Sequence, residues 1–147
     1  MAKRITNSVG ETEAAGESFA AKIKNDIGEE PVWIAFCGGF GAGKTAFIRG
    51  MAKILTPSAE VRSPSYSLMN VYKGEFVTLF HLDLYRLDGH GDIYSIGYDD
   101  IFYEKNSVCV IEWSEHLPQN MIDPPYYMIS IEGSGDEKRE IEIKEMT

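Results

Sequence analysis

The sequence predicts an α/β domain whose central sheet mixes parallel and antiparallel strands and is flanked by helices. Three observations predict it. First, the run Gly38-Gly39-Phe40-Gly41-Ala42-Gly43-Lys44-Thr45 lies between an apolar segment of strand length and a helical segment. The strand-like part is Val32 to Cys37, and the apolar residues Phe47, Ile48, Met51, Ile54 and Leu55 that follow recur at helical spacing. Second, Ser107-Val108-Cys109-Val110-Ile111 is a short unbroken apolar run, as expected of a strand covered on both faces. Third, two pairs of β-prone runs, each around a glycine-bearing turn, read as hairpins.

Taken in order, Glu11 to Asn25 reads as a first amphipathic helix with Ala15, Phe19, Ala20 and Ile23 on one side. The stretch Asp26 to Pro31, with Gly28 and the proline as stop signals, breaks it. The strand Val32 to Cys37, the glycine run and a helix over Ala46 to Leu55 follow, and Thr56-Pro57-Ser58 ends that helix. Val61-Arg62-Ser63-Pro64-Ser65 is polar, holds a proline and reads as loop. Tyr66 to Tyr72 and Phe76 to Asp83 form the first hairpin, across Lys73-Gly74-Glu75. Asp92 to Glu104 mixes short helical stretches with a break at Gly97. Tyr126 to Ile131 and Arg139 to Lys144 form the last hairpin. Its second arm alternates charged Glu140, Glu142 and Lys144 with Ile141 and Ile143, so an edge strand with one solvated face is expected.

The chain's 147 residues suit a single domain, 1–147, with a core of its own. No apolar run approaches the length of a membrane span, and Met1 to Ser8 lacks the apolar core of a secretory signal. Cys37 and Cys109 each sit in an apolar strand-like run and read as buried thiols of a cytoplasmic protein. A Cys/His metal site is not expected, because His81, His90 and His116 are scattered and no C-x-x-C occurs. The net charge of −9, with dispersed Lys and Arg, argues against direct strong nucleic-acid binding. If RNA is involved, a partner is expected to hold most of it.

The glycine run fits G-x-x-x-x-G-K-[ST], the phosphate-binding loop of a P-loop NTPase fold. Such a pattern arises by accident in about one chain in a hundred of this composition, so its flanks decide, and strand, loop and helix are what the motif needs. Glycines let the backbone aim N–H groups at phosphate oxygens. Lys44 would bridge the β- and γ-phosphates, Thr45 would offer its hydroxyl to Mg²⁺, and the following helix would point its positive end at the anion.

This chemistry needs a carboxylate at the end of a neighbouring strand, to hold the cation or polarise the attacking water. Glu112 caps the run Val108 to Ile111, and Asp83 ends the strand Phe76 to Leu82. Alone, either is more often a solvated strand-end acid; beside a phosphate loop the balance reverses. Trp113 could pack on the nucleotide or beneath the loop, with plain core packing an equal alternative. Arg62 and Arg86 could stabilise γ-phosphate charge, although each is more often a surface arginine. No guanine-reading N/T-K-x-D element occurs, which favours adenine. No arginine cluster marks the lid of a small-molecule kinase, the main alternative on this fold.

These segments together resemble the TsaE (YjeE) family of small bacterial P-loop ATPases. Phe36 to Phe47 looks like the family's glycine loop, and Val61 to Tyr66 like its S-P-T-[FY] segment. His81-Leu82-Asp83-Leu84-Tyr85-Arg86-Leu87 is similar to H-x-D-L-Y-R-L, Ile96 to Phe102 to G-[LF]-x-E-Y-F, and Ile111 to Glu115 to [IV]-E-W-[PA]-E. The resemblance runs from about residue 8 to the C-terminus. Gly39 departs from an acidic position, Ala46 and Ser65 from threonine, and Ser114 from proline. The resemblance implies ATP held by Gly39, Gly41, Ala42, Gly43, Lys44, Thr45 and Ala46, with Thr12 near the adenine. It implies Mg²⁺ near Thr45, Glu112 and Asp83, and catalysis by Glu112, Asp83 and Lys44. It also implies a role in making threonylcarbamoyladenosine at position 37 of tRNA. There the ATPase acts on the TsaD and TsaB proteins, which carry out and scaffold the transfer.

Overall fold

The structure, a computed structural model, describes residues 2–38, 43–64, 68–84, 98–101, 104–113, 122–133 and 135–147. Its strands are β1 Ala2–Thr6, β2 Val32–Cys37, β3 Met69–Lys73, β4 Thr78–Asp83, β5 Ser107–Glu112, β6 Tyr126–Gly133 and β7 Arg139–Met146. Its α-helices are α1 Val9–Ile23, α2 Lys44–Leu55 and the single turn α3 Tyr98–Ile101, and a 3-10 turn covers Lys24–Asp26. The strands form one sheet in the order β1-β7-β6-β2-β5-β4-β3. The middle pairs β6–β2, β2–β5 and β5–β4 are parallel, and the outer pairs are antiparallel. The mixed sheet is thus as expected.

The central strands β2 and β5 are apolar along nearly their whole length because both faces are covered. On one face, α1 and α2 pack over Val32, Ile34 and Phe36 of β2, Val108 and Val110 of β5, and Ile129 and Ile131 of β6. Phe47 is fully buried there, with its ring centroid 5.6 Å from that of Phe36 and 5.9 Å from that of Phe19. On the other face, Trp33, Phe80, Leu82, Cys109 and Ile111 form a smaller core with Leu84 and Ile101. Among the described residues no helix is long and apolar enough to cross a membrane.

Ser8 caps α1: its backbone is extended, and its hydroxyl accepts from the Glu11 N–H at 3.1 Å. Glu11 reaches back to the Asn7 N–H at 3.2 Å, a near relative of the reciprocal capping box. Ser8→Ala should therefore lower stability by about 1 kcal/mol, read as a lower midpoint in urea unfolding with an unchanged slope.

Three expectations need correction. Residues 2–6 form a strand, β1, which pairs with β7 from Ala2↔Ile143 to Thr6↔Arg139. Consequently β7 is an interior strand, and the edges are β1 and β3. The alternation in β7 records a half-solvated face, not an edge. Cys37 is only half-buried at the end of β2, whereas Cys109 is fully buried, and burial pushes its thiol well above the ordinary range. The helix of 11–25 starts two residues earlier and tightens into the 3-10 turn after Ile23. Of the helical stretch expected in 92–104, the described residues show α3 alone, and the tip Ser134 lies outside them.

Candidate nucleotide-binding site

Parallel pairing puts the carboxyl ends of β2, β4 and β5 at one end of the sheet, where open α/β sheets bind ligands. Strand β2 ends at Cys37, followed by Gly38, and Gly43 is the residue before α2. Gly43 has φ +92°, in the left-handed region that favours glycine. It starts a twelve-residue helix whose first two residues are Lys44 and Thr45. A strand before the glycine run and a helix N-terminus after it therefore occur as the motif requires.

Asp83 and Glu112 are direct register partners on the parallel strands β4 and β5. Both are largely buried, at 7% and 6% exposed. Two left-handed non-glycine residues flank them. Leu68, at φ 68°, accepts the Asp83 N–H on its carbonyl at 2.9 Å, and Trp113, at φ 59°, directly follows Glu112. Such conformations cost on the order of 1–3 kcal/mol each and concentrate at functional sites. The turn at Trp113 brings its indole to Lys44, whose Nζ lies 4.1 Å from the ring centroid.

Lys44 is 5% exposed, and its Nζ has no hydrogen-bond partner among the described residues. A cation–π contact is worth roughly 0.5–2 kcal/mol and leaves the ammonium's three donors unused. The site thus holds a desolvated positive charge in need of acceptors, which phosphate oxygens would supply. That arrangement fits a nucleotide phosphate. Among the described residues no three His, Cys, Asp or Glu side chains gather into a metal-holding group. A cation held by one or two carboxylates, a hydroxyl and phosphate oxygens, the usual Mg²⁺ arrangement, fits these donors.

The structure also supplies neighbours that the sequence reading missed. A Cβ on Gly43 would lie 3.4 Å from Arg139 Nε, so this β7 side chain packs against the start of α2. Arg139 Nη1 donates to the carbonyls of Gly135, Asp136 and Lys138 at 3.2, 3.3 and 2.8 Å, which folds the β6–β7 turn around it. His81, fully buried on β4, meets Glu112 with Nε2 2.5 Å from Oε2. Thr12, expected near adenine, is buried on α1; its hydroxyl lies 2.7 Å from that of Thr6 on β1 and donates to the Ser8 carbonyl at 3.2 Å. The advance signals were the place of His81 at the head of the H-x-D-L-Y-R-L segment and, for Arg139, only an arginine opening a strand.

Of the expected site residues, Gly43, Lys44, Thr45, Ala46, Asp83 and Glu112 lie on elements that meet at this end of the sheet. Gly39, Gly41 and Ala42 lie outside the described residues, as do Ser65, Tyr66, Tyr85, Arg86, Ser114 and Glu115. Arg62 is exposed and pairs with Glu60 at 3.1 Å. Two clefts of about 670 and 840 Å³, lined by Trp33, Tyr126 and Asp123 and by Phe19, Ile141 and Ile143, lie away from this end. They share Asp26, Tyr127 and Glu145, near the start of β2 and the far end of β7, so neither belongs to the loop.

The family described as threonylcarbamoyl adenosine biosynthesis protein TsaE matches residues 6–141. The chain belongs to the TsaE family. It is 38% identical over 116 residues to the tRNA threonylcarbamoyladenosine biosynthesis protein TsaE of Treponema pallidum, covering 78% of this chain and 83% of the relative. It is 32% identical over 135 residues to the TsaE of Rickettsia conorii, covering 90% of this chain and 72% of the relative. Among solved structures, the crystal structure of Bacillus subtilis YdiB is similar with a TM-score of 0.70 and 27% identity, over 95% of this chain and 82% of that one. The TsaE match spans Thr12, the loop, Asp83, Glu112 and Arg139. It ties the chain to threonylcarbamoyladenosine biosynthesis.

Proposed function

We propose that this chain is a single-domain, weak Mg²⁺-dependent ATPase that drives the machinery making threonylcarbamoyladenosine at position 37 of tRNA. It acts on the TsaD and TsaB proteins in the cytoplasm, and those partners hold the tRNA and perform the transfer. The observation that carries this reading is the buried Lys44 ammonium at the head of α2, without a hydrogen-bond partner among the described residues, at the same end of the sheet as the register partners Asp83 and Glu112.

In this reading the loop N–H groups of Gly39, Gly41, Ala42 and Gly43, with those of Lys44, Thr45 and Ala46 at the start of α2, take the phosphates. Lys44 exchanges its place over Trp113 for phosphate oxygens. Arg139 adds a second positive charge beside Gly43. Thr45, Glu112 and Asp83 are the residues that would hold Mg²⁺. Bound there, the cation would neutralise charge on the β- and γ-phosphates. One of the two carboxylates orients the attacking water, and Thr12 lies near the adenine. The net charge of −9 suits a protein that leaves RNA to its partners.

The test is phosphate release from ATP by the protein alone, then with TsaD, TsaB and tRNA. A slow rate alone that rises with the partners is expected, and no release in either mixture sinks the reading. Lys44→Ala should weaken ATP binding by about tenfold or more, because a desolvated charge-assisted contact is worth roughly 1.5–3 kcal/mol. An unchanged ATP titration would remove the loop from the site.

A further inference from the structure

The ring of fully buried His81 has one described hydrogen-bond partner, Glu112, and on that face it lies between the apolar Leu79 of its own strand and Val110 of β5 on one side and Asp83 of its own strand and Asn70 of β3 on the other. A leucine would fill that space without desolvating a polar ring. The contact is short, Nε2 to Oε2 at 2.5 Å. An ionised carboxylate only accepts, so a clamp on it requires the hydrogen on Nε2. The other ring nitrogen, Nδ1, has no hydrogen-bond partner among the described residues. The ring is therefore aimed at one oxygen of one carboxylate.

We propose that His81 is a positioning residue that pins Oε2 of Glu112 and so presents Oε1 to the cation. The proposal rests on the reading of Glu112 given above. Two features of the fold make the clamp rigid. His81 and Asp83 lie on the same face of β4, and Asp83 is the register partner of Glu112. The Leu84 N–H donates to the Glu112 carbonyl at 3.1 Å, which extends the β4–β5 ladder past the carboxylate. Both the backbone and the side chain of Glu112 are thus held by β4, and a buried carboxylate held in one rotamer loses little freedom on binding a metal ion. Hydrogen-bond partners behind metal ligands commonly change metal affinity by 10- to 100-fold.

The test compares His81→Leu, which keeps volume and removes the donor, with His81→Gln, whose amide N–H can replace it. Mn²⁺ is titrated into the protein with ADP, and free Mn²⁺ is read by its paramagnetic signal, so no hydrolysis is involved. His81→Leu is expected to raise the Mn²⁺ needed by 10- to 100-fold, with most of that recovered in His81→Gln. Unchanged Mn²⁺ affinity in His81→Leu overturns the proposal, as does equal loss in both variants. Glu112→Gln is run beside them. If it leaves Mn²⁺ affinity unchanged, the assignment of Glu112 to the metal falls and takes this proposal with it. If Glu112→Gln weakens Mn²⁺ and His81→Leu does not, the positioning role alone falls. Should His81→Leu fail to fold, ¹⁵N NMR of the imidazole in the unaltered protein decides: a hydrogen on Nε2 supports the clamp, and one on Nδ1 overturns it.

Discussion

Gly50→Ala should lower stability by about 3 kcal/mol or more, although alanine is the better helix former. In an exposed helix this change would stabilise by a few tenths to 1 kcal/mol. Here the sign reverses, because α1 and α2 cross with their backbones in contact. A methyl group on Gly50 would overlap the Glu13 carbonyl oxygen and sit 2.7 Å from its carbon. The same crossing is seen from the other helix: a methyl on Gly16 would overlap the Phe47 carbonyl oxygen, with the carbon at 2.9 Å. Neither obstacle is a side chain that can swing away. The helices must separate, and that loosens Phe19, Phe47 and Met51 from their shared core. Overpacking commonly costs 1–3 kcal/mol, and a clash against rigid backbone lies at or above the top of that range. Thermal unfolding should fall by roughly 6–12 °C. Gly10→Ala, on the exposed first turn of α1, is the control: its methyl would meet only Ser8 Oγ at 3.9 Å, so it should not destabilise and should gain up to about 1 kcal/mol. A Gly50→Ala protein that unfolds no earlier than the parent would show that the helices do not cross as described.

Glu112→Gln should reduce ATP hydrolysis by about a hundredfold or more while ATP still binds, equivalent to about 2.7 kcal/mol of barrier. The substitution keeps the shape of the side chain, and the amide oxygen can still accept from His81 Nε2. The fold should therefore survive. What disappears is the negative charge proposed to hold the cation and polarise water at the end of β5. In the proposed site, nucleotide affinity rests mainly on the loop and Lys44, which the substitution does not touch. Single-turnover phosphate release, with ATP binding measured separately, resolves the two effects. Wild-type hydrolysis in this variant would take Glu112 out of the mechanism, and loss of ATP binding would make it a binding residue instead.

The elements with strong local patterns were legible in the residues alone. An unbroken apolar run gave β5, glycine turns gave both hairpins, and helical spacing gave α1 and α2. The weak N-terminal segment was not legible as a strand, because Lys3, Arg4 and the exposed Ile5 show no clear alternation. Its pairing with β7 stabilises it, and that pairing joins residues more than 130 positions apart. The same long-range contact corrected the expectation for β7, since a half-solvated face looks alike at an edge and one strand inside it.

The candidate site divides along the same line. Residue order by itself determined a phosphate-loop motif, two strand-end acids and a set of segments similar to TsaE proteins, because each is a local pattern of residue types. Tertiary structure decided which groups meet. Parallel register set Asp83 beside Glu112, burial placed His81 against that carboxylate, a left-handed turn laid Trp113 over Lys44, and β7 brought Arg139 to Gly43. Two glycines whose helical propensity argues against them, Gly16 and Gly50, proved to be where the helices touch. Local propensity is a property of neighbours in the chain, whereas clamps, crossings and desolvated charges are properties of neighbours in space.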